Sequence, residues 1–359
     1  MINKISITLA TTLIAYLLLW PVDIEPIAWE APTDKGYTGE FSRNQKLSQL
    51  TRIELNNAIG PEDLALGKEG KVYFSLLSGD IKFIDTDGKV HPWVNTGGRP
   101  LGIEFDFQGS LIVADAFEGL LQITPEGKIS KLVTHVDNIK VNYADDVDVA
   151  DNGKIYFSDA STKFHAKEYG TFDASKLDMI EHGGHGRLIE FDPVSKKSTT
   201  LVDGINFANG VAVSHDQNWV LLSETGTYRV LKVGITENNR GKVETLIDNL
   251  PGFPDNINRG SNGLYWLGLV SSRSKPLDAL SGSVFLRKVV HRFPSFMLPK
   301  AQSFGHVIAI NELGEVIHNL QEPLGLFGYT TGALEVGGAL YISSLHEAAL
   351  AKIPYPISK

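Results

Sequence analysis

Residues 153–159 read Gly-Lys-Ile-Tyr-Phe-Ser-Asp, a turn glycine followed by a short apolar run that ends in an acid. A run of this length between turn residues is typical of a buried β-strand. The same pattern occurs six times along the chain, in residues 70–75, 109–115, 153–159, 218–224, 263–268 and 338–344. Apart from two longer intervals, each unit takes about 40 residues and about four strands, which is the signature of a β-propeller. The chain is therefore expected to be an all-β, six-bladed β-propeller.

The two ends of the predicted propeller can close its ring. Residues 51–55 precede the first unit and residues 348–353 follow the last, so both can share one blade and leave no exposed edge. This places the propeller at residues 51–356. Helical periodicity is scarce there, and the connections are too short for the helices of a parallel α/β sheet. The two longer intervals, 161–186 and 271–305, are expected on one face, where they would shape access to the central channel.

The composition excludes several classes of function. The chain has 359 residues, of which 42% are hydrophobic, enough for one large or two small globular domains. Its formal charge of −9 argues against a nucleic-acid partner, because no basic stripe is present to replace phosphate counterions. The chain has no cysteine, which excludes disulfides, thiolate metal sites and cysteine nucleophiles.

The amino-terminal residues predict a membrane-directed segment. Residues 5–20 are uncharged and mostly apolar, and Lys4 precedes them. This run is slightly short for a bilayer core and has no small-x-small cleavage site behind it. Residues 1–20 are therefore expected to be a signal anchor with a cytoplasmic amino end, a signal peptide being the alternative. Residues 21–50 are expected to be a linker, with the propeller outside the cytoplasm (periplasmic, extracellular or luminal), or secreted if the segment is cleaved.

Four oxygen-bearing residues stand at matching places in four of the units. Glu62, Asp145, Asn209 and Asp255 each precede a Tyr- or Trp-containing strand by about 10 to 12 residues. Equivalent positions in a ring of blades converge on its axis, and Asn256 follows directly on the fourth. Any one of these residues alone is more often an ordinary turn residue. As a set without cysteine or a histidine pair, they favour a calcium site.

Several motifs together resemble the strictosidine synthase-like family. They are residues 98–102, 143–148, 155–159, 186–188, 207–211 and 252–257. The chain is most similar to the adipocyte plasma membrane-associated group of that family, which also begins with an anchor and a linker like residues 21–26. A weaker similarity extends to the paraoxonases and the gluconolactonases. The resemblance covers nearly the whole chain in order.

The resemblance implies a six-bladed propeller with calcium in its channel and, in many members, arylesterase or lactonase activity. Glu62, Asn209 and Asp255 match the family's metal ligands, and Asn256 is an adjacent candidate. Asp145 stands where the family usually has asparagine. The added carboxylate would either tighten calcium binding or raise the pKa of one carboxyl group.

Two further acids and two departures also follow from the resemblance. Asp63 and Asp146 resemble the pair that holds a second, structural calcium in paraoxonases; a turn-capping acid is the alternative for each. The paraoxonases use a histidine dyad, but this chain has Leu101 and Asp115 near those positions.

The chain's ten histidines lie elsewhere and are expected at the surface. Only His182 and His185, in the first long interval, are candidates for reaching the channel mouth.

The leading hypothesis for function is a calcium-dependent hydrolase of a lactone or activated ester, with Asp255 or Asp145 as general base or nucleophile. The alternative is a membrane-displayed binding protein whose calcium is structural. A Pictet–Spengler synthase, the chemistry of strictosidine synthase itself, is a more distant third. The repeated serines at strand ends are not in a Gly-x-Ser-x-Gly elbow, which argues against a serine hydrolase. The expected partners are a small ester or lactone and, through the amino-terminal segment, a membrane.

Overall fold

The computed structural model of the chain describes residues 2–294, 297 and 303–355. Met1, the predicted domain end at Pro356 and residues 295–296 and 298–302 of the second long interval lie outside the described residues.

Twenty-four strands form six antiparallel four-stranded sheets, and two short strands form a separate ribbon. One blade takes its strands from both ends of the domain: it combines β1 (Thr51–Glu54) with the last three strands, β24 to β26, whose ranges are given below. The next two blades are β2 (Leu64–Leu66), β3 (Val72–Ser75), β4 (Asp80–Ile84) and β5 (Val90–Asn95), then β6 (Pro100–Phe105), β7 (Leu111–Asp115), β8 (Gly119–Ile123) and β9 (Ile129–Val133). The ribbon is β10 (His135–Val136) and β11 (Ile139–Lys140). It is followed by the blade of β12 (Ala144–Val149), β13 (Ile155–Asp159), β14 (Gly186–Asp192) and β15 (Lys197–Ile205). The next blade is β16 (Ala208–Val213), β17 (Trp219–Glu224), β18 (Arg229–Gly234) and β19 (Val243–Ile247). It is followed by the blade of β20 (Gly252–Arg259), β21 (Leu264–Ser272), β22 (Gly305–Asn311) and β23 (Val316–Glu322). The strands that pair with β1 in the remaining blade are β24 (Thr330–Val336), β25 (Ala339–Ser344) and β26 (Ala349–Pro354).

The six sheets form a closed ring. The first strand of each blade contacts the first strand of the next, in the order β2, β6, β12, β16, β20, β24 and back to β2. The ring is closed as the sequence predicted, because β1 pairs antiparallel with β26, from Thr51 opposite Lys352 to Glu54 opposite Ala349. Apolar side chains of adjacent blades fill the space between the sheets. The six-bladed, all-β prediction is confirmed.

The first strands carry a β-bulge at a common position. The ladder with the second strand shifts between Ala144 and Val147 in β12, and between Ala208 and Val211 in β16. Strands β6, β20 and β24 shift at the corresponding place. Residues inside a bulge leave the ladder and can turn their side chains away from it. The bulges therefore allow two residues per blade to face the channel.

Close approach of the first strands requires glycine at two of these bulges. A Cβ atom on Gly210 would lie 2.3 Å from the carbonyl oxygen of Asp255 in the next blade, and one on Gly102 would lie 2.5 Å from the Cα atom of Asp146. Real Cβ atoms do not approach backbone that closely. These glycines thus allow neighbouring first strands to touch around the axis.

The acids that end three of the repeated units have a structural role. The carboxylates of Asp115, Asp159 and Glu224 accept hydrogen bonds from the main-chain N–H groups of Arg99, Tyr143 and Asn206, respectively. In each case the second strand of a blade holds the segment that enters its first strand. Bonds to charged acceptors are stronger than neutral ones, so they fix this entry.

Both long intervals contain helices and lie on the face where the first strands begin. The first holds α2 (Ala166–Tyr169) and α3 (Thr171–Glu181), and the second holds α4 (Lys275–Ala279) and α5 (Val284–His291). Each connects the second strand of a blade to its third, and strand direction alternates, so both emerge at the same end of the channel. This agrees with the expectation that the two intervals share one face.

The predicted linker is packed onto that same face. In the strap, defined here as residues 22–47, the side chains of Ile24, Phe41 and Leu47 are buried. Its main chain donates a hydrogen bond from Ile27 to the carbonyl oxygen of Glu181 (2.9 Å). A polar composition predicted a free linker here, but a few apolar side chains spaced along the strap attach it to the propeller.

Arg287 of α5 holds the strap against the two long intervals. Its guanidinium donates to the main-chain oxygens of Ile180 (2.8 Å) and Ser281 (2.9 Å), and also to that of Ile27. The residue is 2% exposed. One buried cation thereby connects three segments that would otherwise be separate loops over the channel.

The amino-terminal segment is helical. Helix α1 (Ile2–Leu19) ends beside α5, where Arg292 donates to the main-chain oxygens of Leu17 (3.0 Å) and Trp20 (2.7 Å). Several of its apolar side chains are exposed, among them Leu13 and Leu19. Within the residues that the structure describes, no helix has the length and apolar character needed to cross a membrane. The anchor stays a prediction.

Asp178 in α3 should make the stability of the domain depend on pH. Burial raises the pKa of Asp178 from 3.8 to about 7. The Ser161 hydroxyl and the nearby His185 lower this pKa, but by less than burial raises it. Because the folded-state pKa is raised, the native state holds this proton longer, and the free energy of unfolding should fall as pH rises from about 4 to about 7. The loss is on the order of 1.4 kcal/mol per pH unit in that window. Asp178→Asn should remove this component and raise the melting temperature at pH 8 relative to the wild type.

Urea titrations of wild type and variant at pH 5 and pH 8 measure the difference. Asp173→Asn, on the same helix with a side chain 66% exposed, is the matched control and should leave the pH dependence unchanged. An Asp178→Asn profile parallel to that of the wild type would contradict the assignment.

Candidate functional site

The bulges bring the predicted oxygen residues to the axis of the ring. Asp145, Asn209 and Asp255 are the first unpaired residues of the bulges in β12, β16 and β20. Glu62 lies two residues before the start of β2, and its N–H donates to the Ser75 carbonyl, which gives it the equivalent place in its blade. All four are buried, between 2% and 6% exposed.

Side-chain contacts connect these residues across blades. Asn256 donates its Nδ2–H to Glu62 Oε1 (2.9 Å) and to the Glu62 main-chain oxygen (3.1 Å). The side chain of Asn209 donates to the carboxylate of Asp255. Residues separated by nearly 200 positions in the chain therefore meet, as the sequence predicted from their common phase.

Three oxygen atoms in this cluster have no hydrogen-bond partner among the residues that the structure describes. They are Glu62 Oε2, Asn209 Oδ1 and Asn256 Oδ1. A buried oxygen without a partner carries a desolvation cost of about 1 to 3 kcal/mol, so such atoms are rare and call for an explanation. A cation or a donor from a ligand would satisfy all three.

The carboxyl groups of the cluster perturb one another. Burial, followed by the charges of Asp255 and Asp145, raises the pKa of Glu62 well above its ordinary value. Burial, followed by the charge of Asp255, does the same for Asp145. Burial raises the pKa of Asp255 to about 7, despite the hydrogen bond from Asn209. Without a cation, the three carboxyls resist being ionised together.

Asp63 and Asp146 bind the next blade through its main chain. Asp146 accepts from the N–H of Val211 (2.7 Å), and Asp63 accepts from the N–H of Ile103 (2.9 Å). Asp63 also accepts from the side chain of Asn258 (3.1 Å). These contacts account for the conformation of both acids, and the second calcium stays a prediction.

Two residues beside the cluster were not predicted as functional. Arg99 is 1% exposed, and its charge acts on both Glu62 and Asp145. Tyr143 is 4% exposed; its hydroxyl donates to the carbonyl oxygen of Thr171 in α3, and its pKa is raised well above the usual value by burial and then by Asp145. Both stand in motifs that carried the family resemblance, at the entry to a first strand. Their position just before a bulge is the signal that could have found them.

The histidines are arranged differently from the expectation. His182 and His306 are buried, so the surface prediction is wrong for these two. The ring of His182 stacks on Trp29 of the strap, with centroids 3.9 Å apart, and burial lowers its pKa to about 3. The pKa of His346 is lowered, first by burial and then by the positive charge of Arg99.

The donor chemistry of the cluster fits a hard cation. Within the described ranges, no three His, Cys, Asp or Glu side chains form a ready set of metal ligands. The predicted set, however, also includes the amide oxygens of Asn209 and Asn256, both unpartnered, and one free oxygen of Glu62. Carboxylate and amide oxygens from a rigid scaffold are what calcium prefers. The residues fit such an ion by chemistry, and its presence would remove the repulsion among the carboxylates.

Comparison with known proteins identifies the family. The six-bladed ring with an acid-rich axis defines the class as a β-propeller with a channel site. A sequence model described as strictosidine synthase matches residues 145–238, and one described as strictosidine synthase-like, N-terminal, matches residues 39–84. The chain is 34% identical over 322 residues to strictosidine synthase-like protein 4 of Arabidopsis thaliana, covering 85% of this chain and 82% of the relative. The chain belongs to the strictosidine synthase-like family.

Other relatives and solved structures support the same fold. The adipocyte plasma membrane-associated protein of Danio rerio is 30% identical over 377 residues, with 95% of this chain and 88% of the relative covered. A gluconolactonase from Xanthomonas campestris superposes with a TM-score of 0.63 at 16% identity, covering 86% of this chain and 89% of that one. A calcium-binding protein, regucalcin, from Agrobacterium tumefaciens gives a TM-score of 0.59 at 14% identity, covering 84% and 92%. At these identities the two structures show the propeller fold alone.

Removal of one carboxylate should weaken cation binding. Calcium added to chelator-treated protein should raise the melting temperature, since a ligand bound only by the native state stabilises it by about 2.7 kcal/mol at 100 times its Kd. In Asp255→Asn the rise should be largely lost, because one of three carboxylates is gone. Differential scanning calorimetry with and without calcium makes the measurement. Asp87→Asn, in the exposed β4–β5 turn, is the control and should respond like the wild type. No calcium response in the wild type, or an equal one in Asp255→Asn, would rule out the cluster as the binding site.

Proposed function

We propose that the chain is a cation-dependent hydrolase of lactones or activated esters. The observation that carries the proposal is the buried cluster at the axis, in which one of three carboxyl groups and two asparagine amides each have an oxygen without a partner. Such clusters are costly to fold and are concentrated at functional sites. The fold likeness to a gluconolactonase makes lactones the first substrates to test.

Glu62, Asp145, Asn209 and Asp255 would hold the ion, with Asn256 Oδ1 as a further oxygen. A bound calcium would polarise the carbonyl of the substrate and stabilise the oxyanion that forms. Asn256 holds Glu62 in place through its Nδ2–H, which leaves Glu62 Oε2 free to bind.

Asp255 is the strongest candidate for moving a proton. Without a bound cation, burial raises the pKa of Asp255 to about 7. A bound cation would favour the ionised form, and a carboxylate next to the substrate can accept a proton as a general base does. In hydrolysis, water would lose a proton to an Oδ atom of Asp255 as its oxygen bonds to the carbonyl carbon. The acyl C–O bond then breaks, and the proton passes to the leaving oxygen. Asp145 is the second candidate, because burial and then the charge of Asp255 raise its pKa well above the ordinary value.

The residue near one position of the paraoxonase histidine dyad is Leu101 in this chain, which supports a carboxylate as the base. Leu101 is 3% exposed, and its main-chain oxygen accepts from the Ser75 hydroxyl (2.7 Å). An aliphatic side chain there cannot move a proton, so acid–base chemistry at the axis would fall to the carboxyl groups.

A binding protein with a structural cation is the second candidate. It is favoured by the closure of the site, since the strap and α3 lie over the face from which the channel is entered. A substrate would reach residues that are 2% to 6% exposed only if this cover opened. A structural ion would need no such opening.

A hydrolysis assay should separate the two functions. We expect the full chain with calcium to hydrolyse D-glucono-1,5-lactone or phenyl acetate faster than the buffer does, and a chelator to abolish this. pH-stat titration follows the lactone and absorbance follows phenol release; Asp255→Asn should be inactive. A calcium-dependent melting temperature without hydrolysis of either compound would support the binding protein instead.

Asp145→Asn tests the third carboxylate. Restoring the amide that the family usually has should weaken calcium binding, by about tenfold for a loss of about 1.4 kcal/mol of attraction, while activity at saturating calcium is kept or improved. Calorimetric titration gives the affinity and the lactone assay gives the rate. If activity is lost with calcium still bound, Asp145 carries the proton; if neither quantity changes, it does not contact the ion.

A further inference from the structure

Arg99 presents a buried guanidinium edge with no partner. The residue lies directly before β6 at the channel, and its Nη1 donates to the carbonyl oxygen of Pro100 (3.1 Å). Its Nε and Nη2 atoms are buried and have no hydrogen-bond partner. Burying these donors without partners costs free energy, and a buried guanidinium almost always has its N–H groups satisfied. The unsatisfied edge therefore indicates a binding site that the chain alone does not complete.

Arg187 of the same chain shows what this edge of a guanidinium binds. Its Nε donates to Asp159 Oδ2 (3.0 Å), and its Nη2 lies 2.9 Å from the same oxygen. Both residues are buried. Nε–H and Nη2–H point the same way and match a carboxylate, which is why arginine is preferred for such groups. The same two atoms are free in Arg99.

No carboxylate of the described residues takes this place. The charges of Glu62 and Asp145 act on Arg99, and burial outweighs them in lowering its pKa. Yet among the described residues no carboxylate oxygen lies within the 4.0 Å that defines an ion pair with its guanidinium. The free edge of Arg99 thus lies near enough to Glu62 and Asp145 to be affected by their charges, but among the described residues it forms no ion pair with either. Glu62 Oε2 is likewise without a partner.

We propose that Arg99 is a specificity residue that receives a carboxylate of the ligand through Nε–H and Nη2–H, with this carboxylate lying between Arg99 and the axial cluster. The inference deepens the proposed function, on which it rests, by naming the ligand class: small carboxylates. The carboxylate comes either from a substituent of the substrate or from the lactone that water opens.

The charges at the axis are compatible with an anion only through Arg99. When ionised, Glu62, Asp145 and Asp255 carry three negative charges. A divalent cation would neutralise two of them and leave these groups with a net charge of −1. Arg99 supplies a further positive charge that acts on Glu62 and Asp145. A carboxylate that enters would therefore be attracted by Arg99 and meet less repulsion from the cluster.

The signal of the Arg99 Nε–H group gives a direct test that does not depend on activity. In the full chain labelled with ¹⁵N-arginine, the Arg99 signal is the one missing from Arg99→Lys. We expect acetate to shift it and acetamide, which has the same shape without the charge, to leave it unmoved. Arg99→Lys keeps the positive charge and loses the bidentate edge, so it should fold and bind calcium like the wild type. If Arg99 were only a counter-charge, neither compound would move the signal, and the proposal would fail.

Gluconate and gluconamide extend the test to larger ligands and distinguish the two sources of the carboxylate. Calorimetric titration of the calcium-loaded wild type should show that gluconate binds about tenfold to hundredfold more tightly than gluconamide. This is the difference in affinity expected from charge-assisted hydrogen bonds. Arg99→Lys should lose this preference. If the carboxylate is that of the opened lactone, gluconate should inhibit lactone hydrolysis competitively; if it belongs to a substituent, hydrolysis of phenyl hemisuccinate should exceed that of phenyl acetate only in the wild type.

The outcomes separate this inference from the proposed function. A shift with acetate but no hydrolysis of any ester or lactone refutes the hydrolase and retains the carboxylate site. Hydrolysis with equal binding of gluconate and gluconamide, and no response to acetate, retains the hydrolase and refutes the role of Arg99.

Discussion

The contact between adjacent first strands at the axis is the constraint on which the rest of the structure depends. Six first strands meet in a narrow ring, and Asp63 and Asp146 each bind a main-chain N–H of the following first strand. Asp146 of one blade holds the N–H of Val211 in the next, and Gly210 leaves no side chain in the way of Asp255. A carboxylate is suited to this task because it accepts two or more hydrogen bonds in a place that water does not reach. The negative charge at the axis is thus partly a consequence of how the ring is built.

The same packing explains why the candidate site is costly. Glu62, Asp145 and Asp255 face one another in a dry environment, and burial accounts for most of the rise in each pKa. Arg99 offsets part of this charge, yet it keeps its own bidentate edge free. A cluster in which both donors and acceptors lack partners is more consistent with a place for ligands than with a rigid internal support. The strap and α3 exclude water from it, which strengthens every charge interaction inside.

Much of the fold and part of the site could be predicted from the sequence because they depend on local patterns. The six strand units, the closure of the ring by residues 51–55 and 348–353, and the common phase of Glu62, Asp145, Asn209 and Asp255 follow from periodicity. The role of the strap did not, because Ile24, Phe41 and Leu47 are single apolar residues in a polar stretch without any period. The position of Arg99 beside the cluster and the hydrogen bond from Val211 to Asp146 were not predicted either, because a single charged residue does not reveal whether it will meet a main-chain N–H, a carboxylate or nothing.

By itself, the sequence determined the number of blades and which residues share an equivalent position, since turn residues and strand alternation repeat at a regular interval. It also determined the chemical character of the axis, because oxygen-bearing side chains stand at four of the matching positions. The tertiary structure alone decided which oxygens have partners, how far burial shifts each pKa, and that the strap covers the channel through Arg287. Those properties depend on distances between residues up to 260 positions apart, which strand periodicity does not encode.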